Sequence, residues 1–250
     1  MVKKRKKKNL KKKLLISVVT TAYNESNKIE QTILDWHNWL KKNKLKSEII
    51  VYDDGSTDGT SIILKKVQKK LKNFKFLKGK SNKGYGYGMR QAIKIARGRY
   101  LVTIDSDNQY HLSDIKKFFS LFNGKINSAT GYRLKKKDIF IKVLADLALR
   151  RIIGILFSTK FKDTNCALKM IKADVLKSIK LDSNDYSFPT EVCLKIENKG
   201  IKMLDVPINH SFRKEGRSNI KLIITSLKFL RFLLFLKYKF IKKNKNFFIR

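Results

Sequence analysis

The sequence predicts an α/β fold, one domain on a mostly parallel, doubly wound sheet. Two observations carry that expectation. Short apolar runs of strand length alternate with longer stretches of helix length, which is the pattern of successive βαβ units. The chain has 250 residues, 42% of them hydrophobic, enough for one α/β domain with a sizeable core and a short appendage. In such sheets ligands collect beyond the carboxyl ends of the strands, so those ends are where chemistry is expected.

The elements follow in order. Leu15–Thr20 is a short run of buried-strand type, and Glu25–Lys41 is helical, with Trp36 and Trp39 on one face toward the core. Glu48–Tyr52 is a strand, and Thr57–Leu71 a helix with Ser56 or Asp58 near its start as cap. Phe74–Leu77, Tyr100–Ile104 and Ile126–Thr130 are further strands, separated by helices Tyr85–Ala96 and Ser113–Phe122. Residues 1–13 read as a disordered basic arm, 14–218 as the domain, and 219–250 as a basic amphipathic segment.

The formal net charge of +38 implies an anionic partner: nucleic acid, an acidic membrane surface or a phosphorylated substrate. Lysine is spread along nearly every segment, so a lysine-rich proteome would give the same bulk charge. No zinc-finger, RNP-like or helix-turn-helix pattern appears, and nucleic acid is not the expected partner. Cys166 and Cys193 make no disulfide framework, which fits a reducing compartment. The basic N-terminus lacks the long apolar stretch of a signal peptide, and no window of about 20 uncharged apolar residues offers a transmembrane helix. His37, His111 and His210 lack zinc-ligand spacing.

The acids are more informative. Only 20 residues are Asp or Glu, yet they crowd the expected strand ends. The first strand runs into Thr21-Ala22-Tyr23-Asn24-Glu25, the second into Asp53-Asp54-Gly55-Ser56-Thr57-Asp58-Gly59, and the fourth into Asp105-Ser106-Asp107-Asn108-Gln109. Asp105 and Asp107 sit two apart just past a strand, where a turn can aim both carboxylates and Gln109 into one cleft. Hard oxygen ligands suit Mg²⁺ or Mn²⁺, and an ion there could bridge to a diphosphate. An Asx-rich turn that merely caps the next helix would look the same. The glycine-rich loop Asn82-Lys83-Gly84-Tyr85-Gly86-Tyr87-Gly88 opens a helix, where amides and the dipole favour phosphate; a plain turn is the alternative. It follows the third strand, so it is not a dinucleotide fingerprint.

Taken together, these segments resemble family-two glycosyltransferases of the GT-A (nucleotide-diphospho-sugar transferase) fold, within the dolichol-phosphate mannosyltransferase and polyprenyl-phosphate glycosyltransferase group. The resemblance runs from about Ile16 to Ser218. Its further pieces, in the family's order, are Gly131-Tyr132-Arg133, Asp163 to Lys169, Phe188-Pro189-Thr190-Glu191, and Arg213 to Ser218. The resemblance implies an enzyme moving a sugar from a UDP- or GDP-sugar to a polyprenyl or dolichyl phosphate, with inversion. A sister activity on a saccharide or other hydroxyl acceptor is the runner-up.

The resemblance also implies roles. Tyr23, Asn24, Glu25, Asp53 and Asp54 would contact the nucleotide, with Gly84 and Asp105 also on the donor. Asp105, Asp107 and Gln109 would hold the metal. Arg133 would face the acceptor phosphate, and Arg213 and Ser218 would bind phosphates from a loop. Asp163 is the orienting or base-like acid, and Glu191 the other acid facing the site, though a helix cap or structural pairing is equally open for it. The family often has Gly-Phe before the basic residue, where this chain has Ala167-Leu168-Lys169.

Two further stretches are amphipathic, Ile139–Phe157 and Ile220–Phe240. A spanning helix would set Lys228 and Arg231 near the bilayer centre, at roughly 2.5–3.5 kcal/mol each. Lying in the interface avoids that cost. The expectation is a protein peripheral to the cytoplasmic face of a membrane, on anionic lipid; a core-packing helix is the alternative for each stretch.

Overall fold

The computed structural model describes residues 15–122, 126–134, 140–211 and 222–248. The expected basic arm, Arg213 and Ser218 lie outside the described residues.

A seven-stranded sheet runs in the order β3-β2-β1-β4-β6-β5-β7. Its strands are β1 (Ile16–Ala22), β2 (Ser47–Asp53), β3 (Phe74–Lys78), β4 (Tyr100–Thr103), β5 (Ser128–Arg133), β6 (Lys169–Lys172) and β7 (Leu204–Ile208). Parallel pairing joins β1 to β2 and β4, β2 to β3, and β5 to β7; β6 is antiparallel to both its neighbours. The chain moves outward from β1 to β3 and returns to place β4 on the other side of β1. That reversal creates a crevice between the carboxyl ends of β1 and β4, the usual ligand position in such sheets.

The core lies on both faces of the sheet, and alternation along each strand divides it. Val18, Ile49, Val51, Val102 and Met170 face one cluster, packed by helices α1 (Ile29–Lys42), α2 (Thr60–Lys70) and α4 (Ile115–Phe119). Val19, Ile50, Leu101 and Ile171 face the other, packed by α3 (Tyr85–Ile95), α6 (Ala173–Lys177) and α7 (Phe188–Glu197). Strands covered on both faces read as continuous apolar runs, which is why β1, β2 and β4 were visible in the sequence. A third cluster joins Ile153 of α5 (Phe140–Phe157) to Leu194 of α7 and to Phe229, Leu233 and Leu236 of α8 (Leu222–Phe248).

Some expected boundaries move. The first helix begins at Ile29, not Glu25, because Asn24 takes a left-handed conformation (φ 54°) and residues 24–26 bind the loop after β2. The second begins at Thr60 behind Gly59 (φ 90°); Asp58 Oδ1 accepts from the Thr60 N–H (3.1 Å), so Asp58 caps it from one residue further out, and Ser56 does not. The stretch around Ser113–Phe122 is a 3₁₀ turn, Leu112–Asp114, followed by the short α4. Trp36 is core, and Trp39 packs against that core half-buried. Cys166 and Cys193 are both buried free thiols.

Close packing explains one glycine of the loop opening α3. A Cβ on Gly88 would meet Thr21 Oγ1 at 2.5 Å and Tyr52 Cδ1 at 2.8 Å. Gly88→Ala should therefore lose about 1–2 kcal/mol net by chemical denaturation, even though alanine's helix propensity alone favours it by about 1 kcal/mol. A gain in stability would show that α3 does not sit this close to β1 and β2.

Candidate active site

The loops after β1 and β2 are knitted to each other. Asn24 N–H donates to Ser56 Oγ (2.9 Å), and Thr57 N–H donates back to Asn24 Oδ1 (2.9 Å). Glu25 N–H donates to Thr60 Oγ1 (2.9 Å), Ser26 N–H to Asp58 Oδ2 (3.0 Å), and Thr60 Oγ1–H to Asp58 Oδ1 (2.6 Å). The Glu25 carboxylate pairs with Lys28 at 3.0 Å, and Tyr23 is half-buried at the end of β1. Although burial acts against it, hydrogen bonds from Thr60 and Ser26 hold the Asp58 carboxyl at about 2.

Asp53 and Asp54 are both buried, and both are engaged by protein donors. Asp53 accepts from Ser56 N–H (3.0 Å) and from the Ser61 hydroxyl. Asp54 accepts from Lys83 N–H (2.9 Å) and Gly84 N–H (2.7 Å). Burial pushes the Asp54 carboxyl above its ordinary value, against the pull of those two amides.

Here the expectation for the glycine-rich loop needs correcting. Its amides do not form an open phosphate cradle. Lys83 and Gly84 donate to Asp54, Gly86 to Asn184 O (3.0 Å), and Gly88 to Gly84 O (3.1 Å). The glycines instead permit close approach: Gly84 has φ 98°, and a Cβ on it would collide with the Asn184 carbonyl. What the loop positions is Tyr85. That hydroxyl is buried, which pushes its pKa well up, and Asp105 beside it pushes further.

The turn after β4 is fixed at both ends. Ser106 Oγ–H donates to Thr21 O (3.1 Å), joining the ends of β4 and β1 across the crevice. Gln109 N–H donates to Asp107 Oδ1 (3.1 Å), and Gln109 Nε2–H to Ser211 O (3.3 Å). Asp105, Asp107 and Gln109 thus share one short, half-buried turn. Among the described residues no cluster of three or more His, Cys, Asp or Glu forms a metal cage. Two carboxylates and an amide oxygen are nevertheless a set that Mg²⁺ or Mn²⁺ accepts, since such ions keep waters and take further oxygens from a substrate diphosphate. The residues present fit the ion as an open site.

Asp163 and Arg133 meet directly. Arg133 Nε–H donates to Asp163 Oδ2 (2.7 Å) and Nη2–H to Asp163 Oδ1 (3.1 Å), a bidentate pair. Nη2 also reaches Asp146 Oδ2 of α5 at 2.9 Å. Burial works against the guanidinium's charge, but the neighbouring Tyr110, Asp163 and Asp146 more than offset it and raise its pKa further. The expectation that Arg133 faces an acceptor phosphate is therefore modified: Nε and Nη2 are directed at carboxylates. Glu191 is fully buried, accepting from Asp182 N–H (2.7 Å) and Ser183 N–H (2.9 Å) and pairing with Lys195 at 2.6 Å. It holds the 182–185 loop that braces the glycine-rich segment, the structural alternative left open for it.

Sequence reasoning missed Ser106, Tyr85 and Asp146. Asp146 carried a signal, being the single acid in the α5 sequence FIKVLADLALRRIIGILF. A single acid in an otherwise apolar and basic helix marks a specific partner.

The chain belongs to glycosyl transferase family 2, whose model matches residues 17–163, more than half of its length. It is a family-two glycosyltransferase enzyme of the GT-A fold. It is 26% identical to a dolichyl-phosphate beta-glucosyltransferase of Saccharomyces cerevisiae, over 91% of this chain and 75% of that protein. It is 27% identical to a dodecaprenyl-phosphate galacturonate synthase of Rhizobium johnstonii, over 90% and 68% of the two chains. Among solved structures, glucosyl-3-phosphoglycerate synthase of Mycobacterium tuberculosis, in complex with Mn²⁺, UDP-glucose and phosphoglyceric acid, superposes with TM-score 0.67 at 18% identity, covering 88% of this chain and 78% of that one. Mannosyl-3-phosphoglycerate synthase of Rubrobacter xylanophilus gives TM-score 0.69 at 14% identity, over 93% and 75%.

The Asp58 shift sets a pH test. A carboxyl with lowered folded pKa stabilises the fold above the unfolded value near 4, and that contribution fades as pH falls toward about 2. Carbon-detected NMR titration should place Asp58 near pH 2. A midpoint at the ordinary aspartate value would mean the two loops are not joined through this carboxylate.

Proposed function

We propose that the enzyme transfers a sugar from a UDP- or GDP-sugar to a polyprenyl or dolichyl phosphate, with inversion and with Mg²⁺ or Mn²⁺. The observation that carries the acceptor class is the Arg133–Asp163 pair. A hydroxyl acceptor needs a general base. Asp163, gripped in bidentate fashion by a guanidinium (2.7 and 3.1 Å), is a weak base, because the adjacent cation favours its ionised form. A phosphate monoester is already ionised near neutral pH and attacks without giving up a proton. The relatives that act on dolichyl and dodecaprenyl phosphates support the same choice.

Each residue then has a task. Tyr23, Asn24 and Glu25 line the nucleotide side of the crevice, on a loop fixed by the Asp58 network. Asp53 and Asp54 position that wall rather than grip the ligand. Asp105, Asp107 and Gln109 would hold the ion, which when bound neutralises charge developing on the leaving diphosphate. Asp163 and Asp146 orient Arg133 at the acceptor side, so that in-line approach becomes a matter of positioning. Arg213 and Ser218 are proposed as phosphate ligands from the sequence alone.

The test is a panel of UDP- and GDP-sugars with polyprenyl phosphate, with and without each ion. Asp107→Asn keeps an oxygen for the Gln109 amide, so it should fold normally yet lose about 10²-fold or more of metal-dependent transfer. Asp163→Asn should cost less than the roughly 10²–10⁴-fold expected for loss of a base. Transfer to a saccharide hydroxyl alone, abolished by Asp163→Asn, would replace the phosphate acceptor with the sister activity. Undiminished activity in Asp107→Asn would remove the ion.

A further inference from the structure

We propose that α5 and α8 together form a docking face for the surface of an anionic phospholipid bilayer. The two helices pack through one side of each. Ile153 of α5 and Phe229, Leu233 and Leu236 of α8 are buried between them and α7, and Phe157 meets Phe240 edge-on at 5.7 Å. At about 100° per residue these α8 positions occupy one narrow arc. A second apolar arc remains: Leu227, Leu230, Leu234, Tyr238 and Ile241 fall within about 80° of one another, and every one is exposed, Leu227 at 63% and Tyr238 at 62%. On α5, Leu144, Leu147 and Ile155 lie on one exposed arc, with Ile155 at 82% and the exposed Arg151 among them.

An ordinary surface helix has one apolar stripe, turned inward. These helices have an inward stripe that is satisfied and an outward one that is not, and several large apolar side chains left exposed along one helix mark an interaction site. Charge selects the occupant. The α8 sequence LIITSLKFLRFLLFLKYKFIKKNKNFF contains seven Lys or Arg and no Asp or Glu. Lys228, Arg231 and Lys242 are exposed beside the apolar arc, whereas Lys239 is held by Asp182 at 3.0 Å. A second copy of the chain would bring two such basic helices together, like charge against like. An acidic lipid surface supplies the opposite sign, with hydrocarbon beneath it for the leucines. Among the described residues no helix is long and apolar enough to cross a membrane, so the face lies on the bilayer rather than through it.

The inner side of α5 bears on the site. Asp146 reaches Arg133 at 2.9 Å, while Leu144 and Leu147 on the same helix face solvent. The helix that props the Arg133–Asp163 pair is thus one that would rest on lipid, and the acceptor side of the crevice is tied to the membrane surface.

Vesicle co-sedimentation of the full chain tests this, and it reads binding, independently of which acceptor or donor the enzyme uses. Phosphatidylcholine vesicles with phosphatidylglycerol should retain the wild-type protein, with about tenfold weaker retention on phosphatidylcholine alone or at high salt. The triple variant Ile155→Ser, Leu227→Ser, Leu234→Ser should lose about tenfold in binding to the anionic vesicles with an unchanged melting temperature. Should that variant not fold, Lys228→Gln with Arg231→Gln should still weaken binding about threefold or more. Vesicle binding unaltered by the substitutions would overturn the docking face, as would a wild-type dimer in light scattering that the triple variant abolishes.

Discussion

The two amides that Lys83 and Gly84 donate to Asp54 are the interaction on which the site's construction depends. A carboxylate buried at the end of β2 needs compensating donors, and here they come from the loop that leads into α3. That clasp seats Gly88 against Thr21 and Tyr52 and brings Tyr85 to Asp105. Asp53 and Asp58 are compensated in the same way, by the loops after β1 and β2. Ser106 then joins the end of β4 to the carbonyl of Thr21. At the reversal of strand order, hydrogen bonds to acids and to the Thr21 carbonyl hold the loops together above the apolar core.

Much of this fold was legible because burial on both faces writes itself as short apolar runs, as in Ile49-Ile50-Val51 and Tyr100-Leu101-Val102. The strands that escaped notice break that rule. β6 begins and ends in lysine, yet Lys169 is fully buried with its ammonium on Thr130 Oγ1 (2.8 Å) and Thr164 O (3.2 Å). β7 contains Pro207, which is tolerated because the strand pairs on one side only. The clustering of acids at strand ends was equally plain. Which acids have oxygens turned to protein donors was not, because the donors to Asp54 come from 29 and 30 residues away. No local pattern reports a partner at that distance.

Charge is divided by place. A chain with net charge +38 gathers acids at the crevice and leaves lysines on the outer face of α8. The first arrangement suits a cation and a diphosphate, and the second suits an anionic surface. α5 joins them, with Asp146 directed inward and Leu144 and Leu147 outward. In the proposed reading, a phosphate acceptor carried on a lipid would arrive from that side, toward an arginine already oriented by two carboxylates.

The most direct measurement is a crystal structure with Mn²⁺ and a nucleoside diphosphate, using the anomalous signal of the metal. The ion should lie within oxygen-ligand distance, about 2.0–2.6 Å, of a carboxylate of Asp105 or Asp107, with the diphosphate across the ends of β1 and β4. A nucleotide bound elsewhere on the sheet, or an ion remote from both aspartates, would contradict the account.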